Sequence, residues 1–233
     1  MHKRFANRLI AGLDTADLAQ ARDWATVLGP HCGLLKFGYQ FFFAHGPAGV
    51  AELAGNQPFF LDLKLHDIPN TVAGAVRSVA WLKPAMLTLH AVGGVAMIEA
   101  ARNAAEPLQD RPLLLAVTVL TSLGEDDLAA AGLIGGVRAQ VLRLGALAIK
   151  AGADGLVCSA HEVAPLRDLL GPDPVLVVPG IRPAGSATGD QARTMAPAAA
   201  MAAGADYLVV GRPINQAPDP GAAAAALAAE IAR

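Results

Sequence analysis

The sequence has little of what marks a nucleic-acid binder, a disulfide-stapled domain or a membrane protein. Charged residues fill only 16% of its 233 positions, and 18 basic against 20 acidic side chains leave a formal charge of -2. General nucleic-acid and polybasic membrane binders need a strong positive excess. Cysteine occurs twice, as Cys32 and Cys158, far apart and with no C-x-x-C, so neither a zinc site nor a disulfide framework is signalled. No apolar run approaches the roughly 18 residues of a spanning helix. The opening Met1–Arg8 is not followed by an apolar stretch of signal-peptide length. What abounds is hydrophobic content, 54%, enough to offset the conformational entropy of folding and to exclude disorder. The expectation is a soluble, cytoplasmic globular protein that binds neither nucleic acid nor membrane.

Eight short β-rich apolar runs recur along the chain: 9–14, 34–38, 59–66, 86–91, 113–120, 155–159, 175–181 and 207–212. Alanine- and leucine-rich stretches of helical period lie between them, among them 17–28, 70–82, 137–151 and 191–203. One strand and its helix therefore take about 29 residues, close to the ~30 of a strand-helix-strand unit. Continuous apolar strands suit a parallel sheet covered on both faces. With no composition break, residues 1–233 are expected to form a single (β/α)8 barrel; an open doubly wound sheet is the rival fold. The alanine run 222–229 reads as the closing helix.

One strand is anomalous. Phe59–Pro69 sets Asp62, Lys64, His66 and Asp67 into the most apolar stretch of the chain. Alternation along a strand turns Leu61, Leu63 and Leu65 one way and Asp62, Lys64 and His66 the other. In a barrel the leucines would face the helices, and Asp62 and Lys64 would point inward near the C-terminal rim, where barrel active sites lie. A structural ion pair is the bland alternative, but buried pairs add little stability. Only five of the 18 cations are lysines, and two of them, Lys36 and Lys64, sit inside apolar strands. With Asp14 ending the first strand, Asp14, Lys36, Asp62, Lys64 and Asp67 would converge on one mouth. Neighbouring carboxylates favour an ammonium on Lys64, which suits a proton donor better than an imine-forming nucleophile.

The last quarter reads as an anion site. Strand seven ends Pro179-Gly180-Ile181-Arg182, strand eight ends Gly211-Arg212, and a glycine-bearing stretch through Gln191 lies between them. Loops after strands seven and eight form the recurrent phosphate site of such barrels. Thr121 and Ser122, expected at the end of strand five, offer hydroxyls to a heterocycle edge. For Ser122 a helix N-cap before Glu125 is an equal alternative. His66, His90 and His161 lack metal-ligand spacing and are expected to pack or to support.

Together, Asp62-x-Lys64-x-x-Asp67-Ile68-Pro69-Asn70-Thr71, Lys36-Phe37-Gly38, Pro179-Gly180-Ile181-Arg182 and Val210-Gly211-Arg212 resemble the bacterial-type orotidine 5′-phosphate decarboxylase family. The resemblance runs from Leu13-Asp14 to Arg212 and includes Gly189-Asp190-Gln191-Ala192-Arg193. It implies cofactor-free and metal-free decarboxylation of orotidine 5′-monophosphate to uridine 5′-monophosphate, by a homodimer with sites at its interface. It implies that Lys64 protonates C6 as carbon dioxide leaves, that Asp62 and Asp67 flank the carboxylate, and that Lys36 completes the catalytic set. Asp14 and Lys36 would hold ribose hydroxyls, with Asp67 and Thr71 approaching from the partner chain and Ile68 among the substrate-binding residues. Thr121 and Ser122 would contact the pyrimidine. Pro179, Arg182, Gln191, Gly211 and Arg212 would line or close over the phosphate.

Two other readings stay open. Metal-dependent sugar-phosphate barrels, such as keto-gulonate-phosphate decarboxylases and hexulose-phosphate synthases, look similar at D-x-K-x-x-D but place a metal-binding carboxylate on strand two. Lys36 occupies that strand here and would repel a cation. A non-catalytic phospho-ligand barrel would keep Arg212 but have no need of Lys64 between two aspartates.

Overall fold

The computed structural model describes residues 5–182 and 194–232. Eight parallel strands close into a barrel in sequence order. They are β1 (Leu9–Gly12), β2 (Leu34–Phe37), β3 (Phe59–Leu65), β4 (Met86–His90), β5 (Leu113–Val117), β6 (Gly155–Val157), β7 (Val175–Val178) and β8 (Tyr207–Val210). Pairing of Ile10 with both Leu34 and Val209 closes the ring, which settles the barrel against the open sheet. The surrounding helices are α1 (Leu18–Leu28), α2 (Tyr39–Ala54), α3 (Pro69–Val79), α4 (Gly94–Ala105), α5 (Glu125–Ala130), α6 (Gly136–Lys150), α7 (Val163–Leu170), α8 (Pro197–Ala202), α9 (Arg212–Asn215) and α10 (Pro220–Ile231). No helix among the described residues is long and apolar enough to cross a membrane.

The period-two alternation of the strands sorts the apolar residues into two shells. Ile10, Leu34, Phe60, Met86, Leu115, Val177 and Tyr207 fill the barrel interior. Leu9, Leu35, Phe37, Leu61, Leu87 and Leu114 face outward into the larger core under the helices. Phe37 stacks there on Phe41 and Phe59, with ring centroids 5.2 and 5.9 Å away. Truncating so enclosed a ring to alanine costs about 3–5 kcal/mol. Two residues further along β2, β3 and β4, the interior face turns polar, as Lys36, Asp62 and Thr88 follow Leu34, Phe60 and Met86. The barrel is thus an apolar plug with a polar lid at its C-terminal rim.

All eight strands stop short of their expected ranges, and three differences bear on expected site residues. Strand β5 stops at Val117, because Thr118 turns both its amide and its hydroxyl onto one carbonyl, that of Val157, at 3.1 and 3.0 Å. Thr121 and Ser122 therefore lie on the following loop and do not end the strand. Ser122 is not the N-cap of α5: Gly124 is, and its amide donates to Asp127 Oδ2 at 2.8 Å. Of the helix expected over 191–203, residues 191–193 lie outside the described residues, and the described part is helical only over Pro197–Ala202. The ring of Pro197 disfavours helical geometry at the residue before it, and Ala196 is extended, with Met195 bridging Ile181.

Candidate active site

The charged residues of β1 to β3 meet at the C-terminal rim. Lys64 Nζ donates to both oxygens of Asp62 at 2.9 Å. Lys36 Nζ donates to Asp14 Oδ1 at 3.0 Å and lies 3.5 Å from Asp62 Oδ2. Gly38 makes room for this pair, since a Cβ there would fall 3.0 Å from Asp14 Oδ1 and 3.1 Å from Lys36 Nζ. Two cations and two anions alternate and cancel. Burial alone would pull the Lys36 ammonium down, but Asp14 and Asp62 outweigh it and hold it above the ordinary lysine value. Burial pushes Asp62 upward, yet Lys36, Lys64 and two hydrogen bonds hold it below the usual carboxylate range. The cluster survives the cost of desolvation because each buried charge has an opposite partner and a hydrogen bond.

Lys64 does not sit in regular strand geometry. Its φ is +40°, a left-handed value rare outside glycine and costing on the order of 1–3 kcal/mol. The β3–β4 register shifts between Leu61 and Leu65, and the Lys64 amide donates to Thr88 Oγ1 at 2.8 Å. The same Thr88 hydroxyl donates to Asp62 Oδ1 at 2.9 Å. Thr88 thereby fixes both the backbone kink and the carboxylate. Sequence reasoning missed it, because a threonine between Leu87 and Leu89 is an ordinary strand residue.

The kink also redirects the end of β3 and the loop beyond it. His66 is exposed, so the alternation expected along the strand ends at Lys64, and its ring lies 5.6 Å from that of His90. Burial, His66 and Lys64 together hold His90 below the ordinary histidine value, with Asp62 opposing. Asp67 is exposed and does not join the ion pairs of its own chain; its Oδ1 accepts from the Ile68 amide at 2.6 Å. Ile68 is 68% exposed, and neither it nor Thr71 lines the cavity. Four of the five charged residues expected at one mouth are brought together, and Asp67 is not.

A cavity of about 620 Å³ opens above the cluster. Asp14, Lys36, Asp62 and Lys64 line it, together with Thr121, Ser122, Pro179, Arg182, Gly211 and Arg212. Arg182 is held below the usual guanidinium value by burial first and by Arg212 second. Two guanidiniums close enough to repel suit a doubly charged anion. Gln191 lies outside the described residues. Tyr39 and Asn215 also line the cavity, and neither was singled out in the sequence. Asn215 Nδ2 donates to the Gly12 carbonyl at 2.7 Å, tying the helix after Arg212 to β1.

Residues 7–227 match the family described as "Orotidine 5′-phosphate decarboxylase / HUMPS family". The chain belongs to this family. An orotidine 5′-phosphate decarboxylase of Gluconobacter oxydans is 55% identical over 97% of this chain and 97% of its own length. One of Thermobifida fusca is 54% identical over 96% and 95%. The crystal structure of orotidine 5′-phosphate decarboxylase from Lactobacillus acidophilus superposes with a TM-score of 0.86 at 36% identity, covering 97% and 99% of the two chains. Family membership agrees with the closed barrel, a fold shared with that solved decarboxylase.

Proposed function

We propose that this chain is a carboxy-lyase that converts orotidine 5′-monophosphate to uridine 5′-monophosphate in pyrimidine biosynthesis, with Lys64 as the proton donor. The observation that carries the reading is Lys64, held by both oxygens of Asp62 in a cavity that Arg182 and Arg212 also line. The bond from C6 to the carboxylate breaks, its electron pair stays on C6, and carbon dioxide departs. Lys64 transfers a proton to C6 and is left as an amine. A cation beside C6 stabilises the developing negative charge before the proton moves. Asp62 and Asp67 flank the departing carboxylate, Asp14 and Lys36 hold the ribose, and Thr121 and Ser122 meet the pyrimidine. Pro179, Arg182, Gln191, Gly211 and Arg212 surround the phosphate, whose binding energy is expressed at the distant reacting carbon.

The metal-dependent sugar-phosphate reading is disfavoured by Lys36. A buried ammonium between two carboxylates fills with positive charge the place where that branch needs a metal ligand. Release of carbon dioxide from orotidine 5′-monophosphate by the purified protein, undiminished by EDTA and unaffected by added magnesium, is the expected result. Loss of activity on chelation, restored by a divalent ion, would return the sugar-phosphate reading.

The proposed working unit is a homodimer in the cytoplasm, where thiols such as Cys32 and Cys158 stay reduced. Asp67 and Thr71 would complete the neighbouring copy's site, which fits their exposure and their absence from the lining of their own cavity. Mixing two inactive variants, Lys64→Ala and Asp67→Ala, tests this. One site of each mixed dimer would be intact, so random exchange returns roughly a quarter of wild-type activity. No return despite proven subunit exchange would place Asp67 in its own chain's site.

A further inference from the structure

Tyr39 opens α2 directly after β2, and Lys64 Nζ lies over its ring, 5.9 Å from the centroid. One turn later Phe43 stacks on Tyr39, 5.3 Å away with ring planes 23° apart. Burial first and Asp62 second hold the Tyr39 hydroxyl above its ordinary value, so the ring is a neutral phenol. A phenol attracts a cation through the electron density of its face, without ion pairing.

We propose that Tyr39 is a positioning residue for Lys64, holding its ammonium by a cation–π contact. Asp62 grips the amine with two of its three N–H bonds, which leaves the group free to swing about that carboxylate. The Tyr39 face limits the swing and keeps the remaining N–H toward the cavity that both residues line. The contact also compensates part of the cost of the left-handed Lys64 backbone, which by itself would relax toward a regular strand. This role rests on Lys64 being the proton donor, and it goes beyond the charged network in assigning a neutral aromatic group to its control.

The test is a graded series at position 39. Tyr39→Phe keeps the ring and should retain most of the turnover. Tyr39→Leu removes it and should lower kcat roughly 2- to 5-fold with little change in KM, the range of a cation–π contact at a partly exposed site. Replacing Tyr39 with phenylalanines bearing one, two and three fluorines keeps shape and apolarity while draining the ring face. The logarithm of kcat should fall stepwise along that series. A flat series, or a loss for Tyr39→Phe equal to that for Tyr39→Leu, overturns the proposal, since packing ignores ring fluorination and a hydroxyl role would be lost with phenylalanine. An activity-free readout separates this from the assignment of Lys64. The ε-methylene protons of Lys64 should be shifted upfield by the ring and return to ordinary positions in Tyr39→Leu. Absence of that shift overturns the contact even in a protein that decarboxylates well, whereas its presence in a protein that does not would condemn only the reaction.

Discussion

The barrel carries buried carboxylates at both ends, and they are partnered differently. At the N-terminal end Asp154 and Asp206 each stand one residue before a strand, β6 and β8. Asp154 accepts from the Leu114 amide at 2.9 Å, from Arg111 at 2.7 and 2.9 Å and from Arg102 at 3.1 Å. Asp206 repeats the motif two strands on, accepting from the Leu176 amide at 2.8 Å and from Arg167 at 2.5 Å. A guanidinium fork and a backbone amide hold Asp154, one guanidinium nitrogen and one backbone amide hold Asp206, and the hydrogen bond to Asp154 holds Arg111 above its usual value. At the C-terminal end Asp62 is gripped by lysines and a threonine hydroxyl, beside a cavity. An arginine fork locks geometry, whereas a lysine is a point charge that can give up a proton. On the proposed function, a carboxylate serves stability at one end and chemistry at the other, and the cation beside it decides which.

The largest effect that would break this contrast belongs to Lys64. Lys64→Ala should lower turnover by about 10³-fold or more, since both general-acid and electrostatic contributions go. Binding of uridine 5′-monophosphate should persist through the phosphate and ribose contacts. Near-normal turnover, measured as carbon dioxide released, would remove the proton-donor assignment.

Asp154→Ala should do the reverse. It strips a saturated carboxylate from two guanidiniums and a strand amide, at about 3 kcal/mol. For a chain of this size the melting temperature should fall by roughly 6–12 °C, with kcat per folded molecule unchanged. A selective loss of kcat with no loss of stability would mean that the N-terminal end also serves the reaction.

Arg212→Ala sharpens the comparison, because here a guanidinium sits at the functional end. Its expected partner is a phosphate, so kcat/KM for the phosphorylated substrate should drop about 10- to 100-fold, a charge-assisted bond being worth ~1.5–3 kcal/mol. The bare nucleoside should be barely affected. Equal losses for both would make Arg212 a structural arginine like Arg111.

The sequence makes the functional end more legible than its supports. Lys36, Asp62 and Lys64 stand out because charge inside an apolar strand is costly and demands a reason. Thr88 and Tyr39 do not stand out. Threonine is an ordinary strand residue, and Tyr39 heads the run Tyr39-Gln40-Phe41-Phe42-Phe43, which reads as core packing. The left-handed Lys64 is invisible because no local rule puts a lysine there; a hydrogen bond to Thr88, 24 residues on, supplies the cause. The Asp–Arg locks are hidden for the same reason, since Arg111 and Asp154 meet only once the barrel closes. Asp67 shows the opposite limit: its motif names it, but nothing in its own chain's rim receives it.

The smallest effect concerns the pH range over which the C-terminal cluster holds charge. Asp62 is depressed in the folded protein, so its stabilisation is complete above the unfolded carboxylate value of about 3.9 and is lost as pH falls through the lower folded value. Lys36 is raised, so its contribution is complete below the unfolded lysine value of about 10.4 and is lost as pH rises through the higher folded value. Between those limits neither group changes its protonation on folding, and the cluster adds no slope to stability against pH. Urea unfolding of wild type and Asp62→Asn from pH 9 downward reads this directly. The stability difference between them should stay level to about pH 4 and then shrink, because the unfolded wild type takes up a proton that the folded state refuses. A difference that already shrinks near pH 6 would put the folded Asp62 value above the unfolded one. Burial would then have won over Lys36 and Lys64, and the cluster would hold a protonated acid where a charge-balanced network is expected. A level difference down to about pH 4 means that Lys36 and Lys64 outweigh burial and keep the Asp62 carboxylate charged.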